Sequence, residues 1–369
     1  VFERLSLPAV VGEILAGVVL GPYATNFITP SDTVNSIAEV GAIFLLFTVG
    51  LQTSPKDLLR VGRESLRVAL AGVILPFALG FSYMMLRHHP TPEAIFVAAA
   101  MVATSVGVTA RVLGDLDLLQ TRAARIILGA AVFDDILGML VLALVTGLNS
   151  VGGVKWWALM VLLVEAAGFA IFMIVFAPRI IGRMRPAMSQ MSTRNAPLIL
   201  AFAICLGLSV AAEKIGMAAI IGAFFAGLAF AEYSPEWDLH RRVSAITEFL
   251  APYFFFTMGA RLNLHVFTAD ILFAASVITL LAIVSKVVGC GLAVWKEGRQ
   301  VALRVGVGMT PRGEVGLIVA LVGLQMKLIS DATYAIVLFM TAVTTIVAPP
   351  VLRYLFKGAV PGPAVADEG

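Results

Sequence analysis

Charge is scarce in this 369-residue sequence: Asp, Glu, Lys and Arg together make up 13% of it, against about a quarter in an ordinary soluble domain. Histidine occurs four times, and cysteine twice, at Cys205 and Cys290. Each shortage excludes something. The two cysteines lie far apart inside apolar stretches, with neither a disulfide framework nor a metal-ligand spacing, and read as packing residues. His88, His89, His240 and His265 all fall in or beside connecting loops and give no support to a histidine pH sensor. A net charge of +3 is too slight to mark a polyanion partner, despite a pI near 9.0. No basic-then-apolar leader is visible, and Val1–Leu7 reads as the end of a segment that begins upstream.

What is abundant is apolar residue, 60% of the chain at a mean hydropathy of +0.96. A single aqueous core stops growing near about 250–300 residues, so this surplus has no water-soluble core to fill. A soluble enzyme, a disordered chain and a nucleic-acid binder are excluded. The expectation is an all-α polytopic membrane protein with the lipid bilayer as its solvent.

A bilayer core takes roughly 20 apolar residues per helix, within about 17–25. Twelve segments are predicted: 8–20, 36–52, 66–86, 93–113, 122–148, 154–176, 196–213, 217–231, 245–262, 269–295, 301–324 and 332–356. Basic residues test the division, because they collect in cytoplasmic loops. With the N-terminus inside and sides alternating, only Arg87, Lys155, Lys214, Arg261 and Lys327 fall outside, while Lys286 and Arg312 fall within segments. All other basic residues lie inside, and the C-terminus is predicted to be cytoplasmic.

An internal repeat is also visible. Gly12-Glu13-Ile14-Leu15-Ala16-Gly17 in segment 1 matches Gly222-Ala223-Phe224-Phe225-Ala226-Gly227 in segment 8. Phe47-Thr48-Val49-Gly50 in segment 2 matches Phe256-Thr257-Met258-Gly259 in segment 9 at nearly the same displacement. An odd number of segments separates the copies, so the second enters the membrane from the opposite side, as in the inverted repeats of secondary transporters. The alternative is that small residues recur only to let helices pack closely.

Corresponding fourth segments of the two copies carry helix breakers: Thr104-Ser105-Val106-Gly107-Val108-Thr109, and Gly306 to Gly316 around Pro311. Proline removes a helical donor and glycine permits unwinding. Two broken, crossing helices at mid-membrane are therefore expected, with half-helix ends and carbonyls exposed to a cation. Arg312 and Glu314 flank the second break, either as a clamp on the broken helix or in direct ion contact.

The charges inside the segments name the chemistry. Asp134 and Asp135 sit at the centre of segment 5 and Lys286 near the centre of segment 10. Each costs about 2.5–3.5 kcal/mol at a helix centre, so pairing, neutralisation or a water-filled cavity must offset them. Adjacent helical positions diverge by about 100°, so one aspartate can face Lys286 while the other faces a pathway. Such a trio suits proton exchange, although a purely stabilising Asp–Lys bridge is the alternative. Glu165, in the middle of segment 6, is either a proton relay or a neutral hydrogen-bonded group. Glu13, Glu39 and Glu248 lie nearer segment ends and read as interfacial.

Taken together, Val10 to Gly17, Ala103 to Leu113, the Asp134-Asp135 pair and the run Gly306 to Gly316 resemble the bacterial sodium/proton antiporters. The NapA type of the cation:proton antiporter superfamily, whose membrane domain is Kef-like, is the nearest group. That resemblance implies thirteen helices, the first almost wholly absent here, and a homodimer. It implies a dimerisation scaffold at 1–52 and 196–262, and an ion-translocating core at 66–148 and 269–356. Residues 154–176 would form a linker helix and 357–369 a cytoplasmic tail. It makes Asp135 the ion- and proton-binding carboxylate, the one metal contact, with Asp134 the partner of Lys286. Thr104, Ser105 and Thr109 would complete the coordination, and Pro311, Arg312 and Glu314 would support the broken helix.

The expected activity is electrogenic exchange of Na+ (or Li+) for H+ across a bacterial plasma membrane, with no cofactor and no enzymatic step. K+/H+ exchange on the same scaffold is the alternative. A sodium-coupled organic-anion symporter and a cation channel stand further off.

Overall fold

Long apolar runs satisfy their backbone in a bilayer core only as helices or closed barrels. The computed structural model, which describes residues 9–54, 58, 60–148, 156–177, 179–183, 195–215, 217–261 and 268–357, has only helical elements among them. In chain order they are α1 (Ala9–Leu20), α2 (Asp32–Leu51), α3 (Gly62–Leu86), α4 (Thr91–Val102), α5 (Val106–Asp115), α6 (Arg122–Leu148) and α7 (Trp156–Val175). The second half continues with α8 (Ala196–Lys214), α9 (Ala219–Phe230), α10 (Leu239–Ala260), α11 (Ala269–Ala293), α12 (Arg299–Gly308), α13 (Glu314–Gln325) and α14 (Asp331–Leu355).

Eight spans are long and apolar enough to cross a bilayer: α2, α3, α4 with α5, α6, α8, α10, α11 and α14. The predicted segments at 8–20, 154–176, 217–231 and the later part of 301–324 hold shorter apolar helices. For the last of these the reason is local: residues 309–313 leave the helix. Residues 1–8, 154–155, 262, the tail from 358 and the Glu314 side chain lie outside what the structure describes.

Helix starts follow local chemistry. Ser31, Thr268 and Ser330 each accept a hydrogen bond from the amide three residues on, at 3.4, 3.4 and 3.2 Å. Asp32, Asp270 and Asp331 occupy the first turns that follow. Each cap satisfies an orphan N–H, and each carboxylate complements the positive end of the helix dipole.

The described residues fall into two compact units. The first draws on Val1–Pro30, Val61–Lys155 and Phe255–Gly369, the second on Ser31–Arg60 and Trp156–Phe254. In the first, α3 packs against α4, α6 and α11, and α11 packs in turn against α12 and α14. Its apolar core joins Met84, Phe96, Met101, Ile278, Val319 and Met340. In the second, α2 lies on α9, and α9 also packs against α8 and α7.

Glycine sets the closest approaches in both units. A Cβ on Gly17 would stand 2.0 Å from the Phe256 carbonyl oxygen, and one on Gly259 2.0 Å from that of Ile14. In the second unit a Cβ on Gly50 would meet the Phe224 carbonyl at 2.2 Å, and one on Gly227 that of Phe47 at 2.2 Å. No side chain fits at either crossing. Gly17 and Gly227 are counterparts in the predicted repeat, as are Gly50 and Gly259. Helix α1 thus meets α10 and α2 meets α9, the second crossing glycine to glycine at Gly50 and Gly227.

Candidate functional site

Both expected breaks are present in the first unit. Between α4 and α5 the chain is extended at Ala103 (φ −57°, ψ 137°) and Ser105 (φ −90°, ψ 101°). Between α12 and α13 it leaves the helix at Met309 and re-enters after Gly313 (φ −140°, ψ −151°). Breaking a helix orphans carbonyls on one side and amides on the other, and each break answers the other. The Ser105 amide donates to the Pro311 carbonyl at 2.8 Å. Thr109 donates from Oγ1 to the Gly308 carbonyl at 2.7 Å, and Thr104 to that of Met309 at 3.5 Å. A Cβ on Gly313 would stand 2.6 Å from Ser105 Cβ and 2.7 Å from its Oγ, so the Ser105 side chain lies against bare backbone where glycine leaves the room.

Arg312 completes this closure. Its side chain is fully buried. Nη1 donates to the carbonyls of Ala103 at 3.1 Å and Val102 at 3.4 Å, and Nη2 to that of Ala282 on α11 at 3.2 Å. A guanidinium on the C-terminal carbonyls of α4 complements the negative end of that half-helix. Thr344 and Thr345 on α14 hold the Arg312 backbone, the first accepting from its amide at 3.2 Å and the second donating to its carbonyl at 2.6 Å. Arg312 therefore spans the opposite break and α11 together. The carbonyls of Val102, Ala103, Gly308, Met309 and Pro311 at the two breaks all accept hydrogen bonds within the protein.

One turn beyond Ala282 on α11 is Lys286, and its Nζ lies 3.3 Å from Asp134 Oδ1. The two side chains are 0% and 2% exposed. Desolvating two charges this far costs several kcal/mol per ion, offset only by pairing and close hydrogen bonding. Asp135 follows on α6, turned about 100° from Asp134 by helix geometry, and is half-buried. Among the described residues no three His, Cys, Asp or Glu side chains cluster to hold a metal ion.

The structure gathers Thr104, Ser105, Thr109, Pro311 and Arg312 at the joined breaks, with Asp134 and Lys286 paired on α6 and α11. Glu165 is exposed on α7. Glu13 is half-buried, and its enclosed Oε2 has no hydrogen-bond partner. Both cysteines are free and buried. Cys290, read only as a packing residue, donates weakly from Sγ to the Val68 carbonyl at 3.6 Å, one turn from Lys286. Thr344 and Thr345 were not anticipated. A Thr-Thr pair inside an apolar run was their only signal.

A helical membrane protein with two joined helix breaks and a buried Asp–Lys pair in one unit has the build of a transporter, not an enzyme. Residues 1–358 match the family described as sodium/hydrogen exchanger, transmembrane, and the chain belongs to it. It is 35% identical to the high-affinity Na+/H+ antiporter NhaS3 of Synechocystis sp., over 96% of this chain and 86% of that protein. It is 31% identical to a Na+/H+ antiporter of Enterococcus hirae, covering 96% and 93% of the two chains. With the Na+/H+-K+ antiporter GerN of Bacillus cereus the identity is 32%, covering 96% and 91%. The fold matches the sodium proton antiporter MjNhaP1 of Methanocaldococcus jannaschii at a TM-score of 0.65 and 19% identity, over 97% of this chain and 92% of that one.

Proposed function

We propose that this chain exchanges Na+ (or Li+) for H+, electrogenically and by alternating access, with proton and cation competing for Asp135. The observation that carries the reading is the fully buried Lys286–Asp134 pair with Asp135 next to it on α6. Membership of the exchanger family and the names of its relatives support it. Sodium binding displaces a proton from Asp135 and disturbs the Asp134–Lys286 pair, so that Lys286 gives up a second proton. Thr104 and Thr109 keep oxygen lone pairs for a hard cation even while donating their hydroxyl hydrogens, and the Ser105 hydroxyl adds a third oxygen. Pro311, Arg312 and Glu314 support the break.

The finer architecture belongs to the same proposal: twelve membrane segments as two inverted repeats, supported by the crosswise glycine contacts, and a cytoplasmic C-terminus in a bacterial plasma membrane. Residues 66–148 and 269–356 would form the moving core and 1–52 and 196–262 the scaffold of a homodimer, linked by 154–176. The compact second unit, with α2, α8 and α9, supports the scaffold. Helix α1 and the last turn of α10 cluster with the core helices instead.

In proteoliposomes, Asp135→Asn abolishes cation-driven proton movement on this reading, and retained exchange sinks the site assignment. Lys286→Gln removes or reduces the dependence on membrane potential; an unchanged dependence contradicts the lysine's role as proton carrier. K+/H+ exchange is the second reading, favoured by potassium in the name of GerN. Assaying Na+, Li+ and K+ at one pH separates the two.

A further inference from the structure

Lys286 meets α3 at a residue without a side chain. A Cβ on Gly72 would stand 2.9 Å from Lys286 Nζ, 3.0 Å from Cys290 Sγ and 3.5 Å from Lys286 Cδ. All three residues are buried. Lys286 and Cys290 are one turn apart on α11, so their side chains bracket Gly72. Helix α3 also packs on α6, which carries Asp134. The ammonium thus has a carboxylate from α6 and the bare backbone of α3 as neighbours.

Pro76 supplies the second observation. It lies inside α3, and proline has no N–H to donate to the carbonyl four residues earlier. That carbonyl belongs to Gly72. A glycine in a membrane helix is by itself ordinary packing. Here the glycine adjoins a buried ammonium, and its carbonyl is denied its helical donor.

We propose that Gly72 is a positioning residue for Lys286. Its bare Cα leaves the room that keeps the ammonium within reach of Asp134. Its carbonyl accepts the ammonium when the pair with Asp134 opens in the transport cycle, a step that rests on the antiport reading above.

The test is a double-mutant cycle of Gly72→Ala with Lys286→Gln on the full chain. Two quantities are read: the thermal unfolding midpoint in detergent, and the half-saturating Na+ concentration with its pH profile in proteoliposomes. Gly72→Ala alone should lower the midpoint, raise half-saturation about tenfold and displace the pH profile, whereas in the Lys286→Gln background its effect should shrink to under about twofold. Equal effects in both backgrounds, or no change in half-saturation with Lys286 present, overturn the proposal. Pro76→Ala returns a donor to the Gly72 carbonyl without adding an atom beside Nζ. It should displace the pH profile without lowering the midpoint, and an unmoved profile counts against the carbonyl's role.

The melting cycle does not depend on what is transported. If the parent protein exchanges no cation the antiport reading fails, and the coupling of midpoints still decides whether Gly72 positions Lys286. Should Gly72→Ala fold only when combined with Lys286→Gln, that outcome supports the proposal. If it folds in neither background, the same cycle run with Pro76→Ala decides it.

Discussion

The Ser105 amide donates to the Pro311 carbonyl at 2.8 Å, so an orphaned group of one helix break is satisfied by the other. Thr109 adds a second tie, from its hydroxyl to the Gly308 carbonyl at 2.7 Å. Both breaks therefore carry their backbone groups as one closed set, and a shift in one is felt in the other. Thr109→Val keeps the shape and removes the donor. Leaving a buried carbonyl unsatisfied costs about 1–3 kcal/mol, so the variant should melt lower in detergent. Thr109→Ser retains the hydroxyl and should lose less. Equal melting of the two would show that the hydroxyl is not what holds the breaks together.

Arg312 makes a stronger claim on geometry. One planar guanidinium reaches Val102 and Ala103 with Nη1 and Ala282 with Nη2. Lysine offers a point charge on a flexible stem and cannot reproduce that fork. Arg312→Lys should therefore keep the charge yet lower the exchange rate, and Arg312→Gln should lower both rate and melting temperature. If Arg312→Lys exchanges at the parent rate, charge alone is what the break requires.

The chemistry was legible in the sequence where it broke a strong rule. Asp134 and Lys286 stand out because charges inside apolar segments are costly, and Pro311 among glycines marks its break for a similar reason. Three features were not legible. The partners of Arg312 are backbone carbonyls, which leave no side-chain signature, so clamp and ion contact looked alike until the fold brought Ala103 and Ala282 to it. Gly72 reads like any other glycine in a helix, and only the approach of Lys286 distinguishes it. The hold of Thr344 and Thr345 on the Arg312 backbone was hidden as well, because hydroxyls in an apolar run also bond within their own helix, as both of these do.

The crosswise glycine contacts yield a graded prediction. A Cβ on Gly227 would stand 2.2 Å from the Phe47 carbonyl and 2.8 Å from Gly50 Cα, both backbone atoms that cannot step aside. Overpacking of this kind costs about 1–3 kcal/mol or more, so Gly227→Ala should melt well below the parent. Gly207 on α8 has nothing within 4 Å of its Cβ position. There alanine should gain up to about 1 kcal/mol from helix propensity. Thermal melts of the two variants in one detergent check the contrast. Similar values would mean that the crossing is loose.

At the end of α11 the pair Arg122–Glu297 predicts a pH dependence of definite sign. Arg122 Nε donates to Glu297 Oε2, and that bond holds the Glu297 carboxyl below its ordinary value of 4.5. A carboxylate with a lowered folded-state value contributes stability that is fully present above the ordinary value. The contribution is lost as pH falls through 4.5 towards the lower folded value. The Arg122 side chain is 52% exposed and that of Glu297 21%, so solvent screens the pair and its worth is under about 1 kcal/mol. Melting the parent and Glu297→Gln from about pH 7 to about pH 3 should show a small parent advantage that vanishes in acid. The same advantage should shrink at about 1 M salt, where the Debye length is about 3 Å. An advantage that persists in acid or in high salt would assign the contact to packing and not to charge.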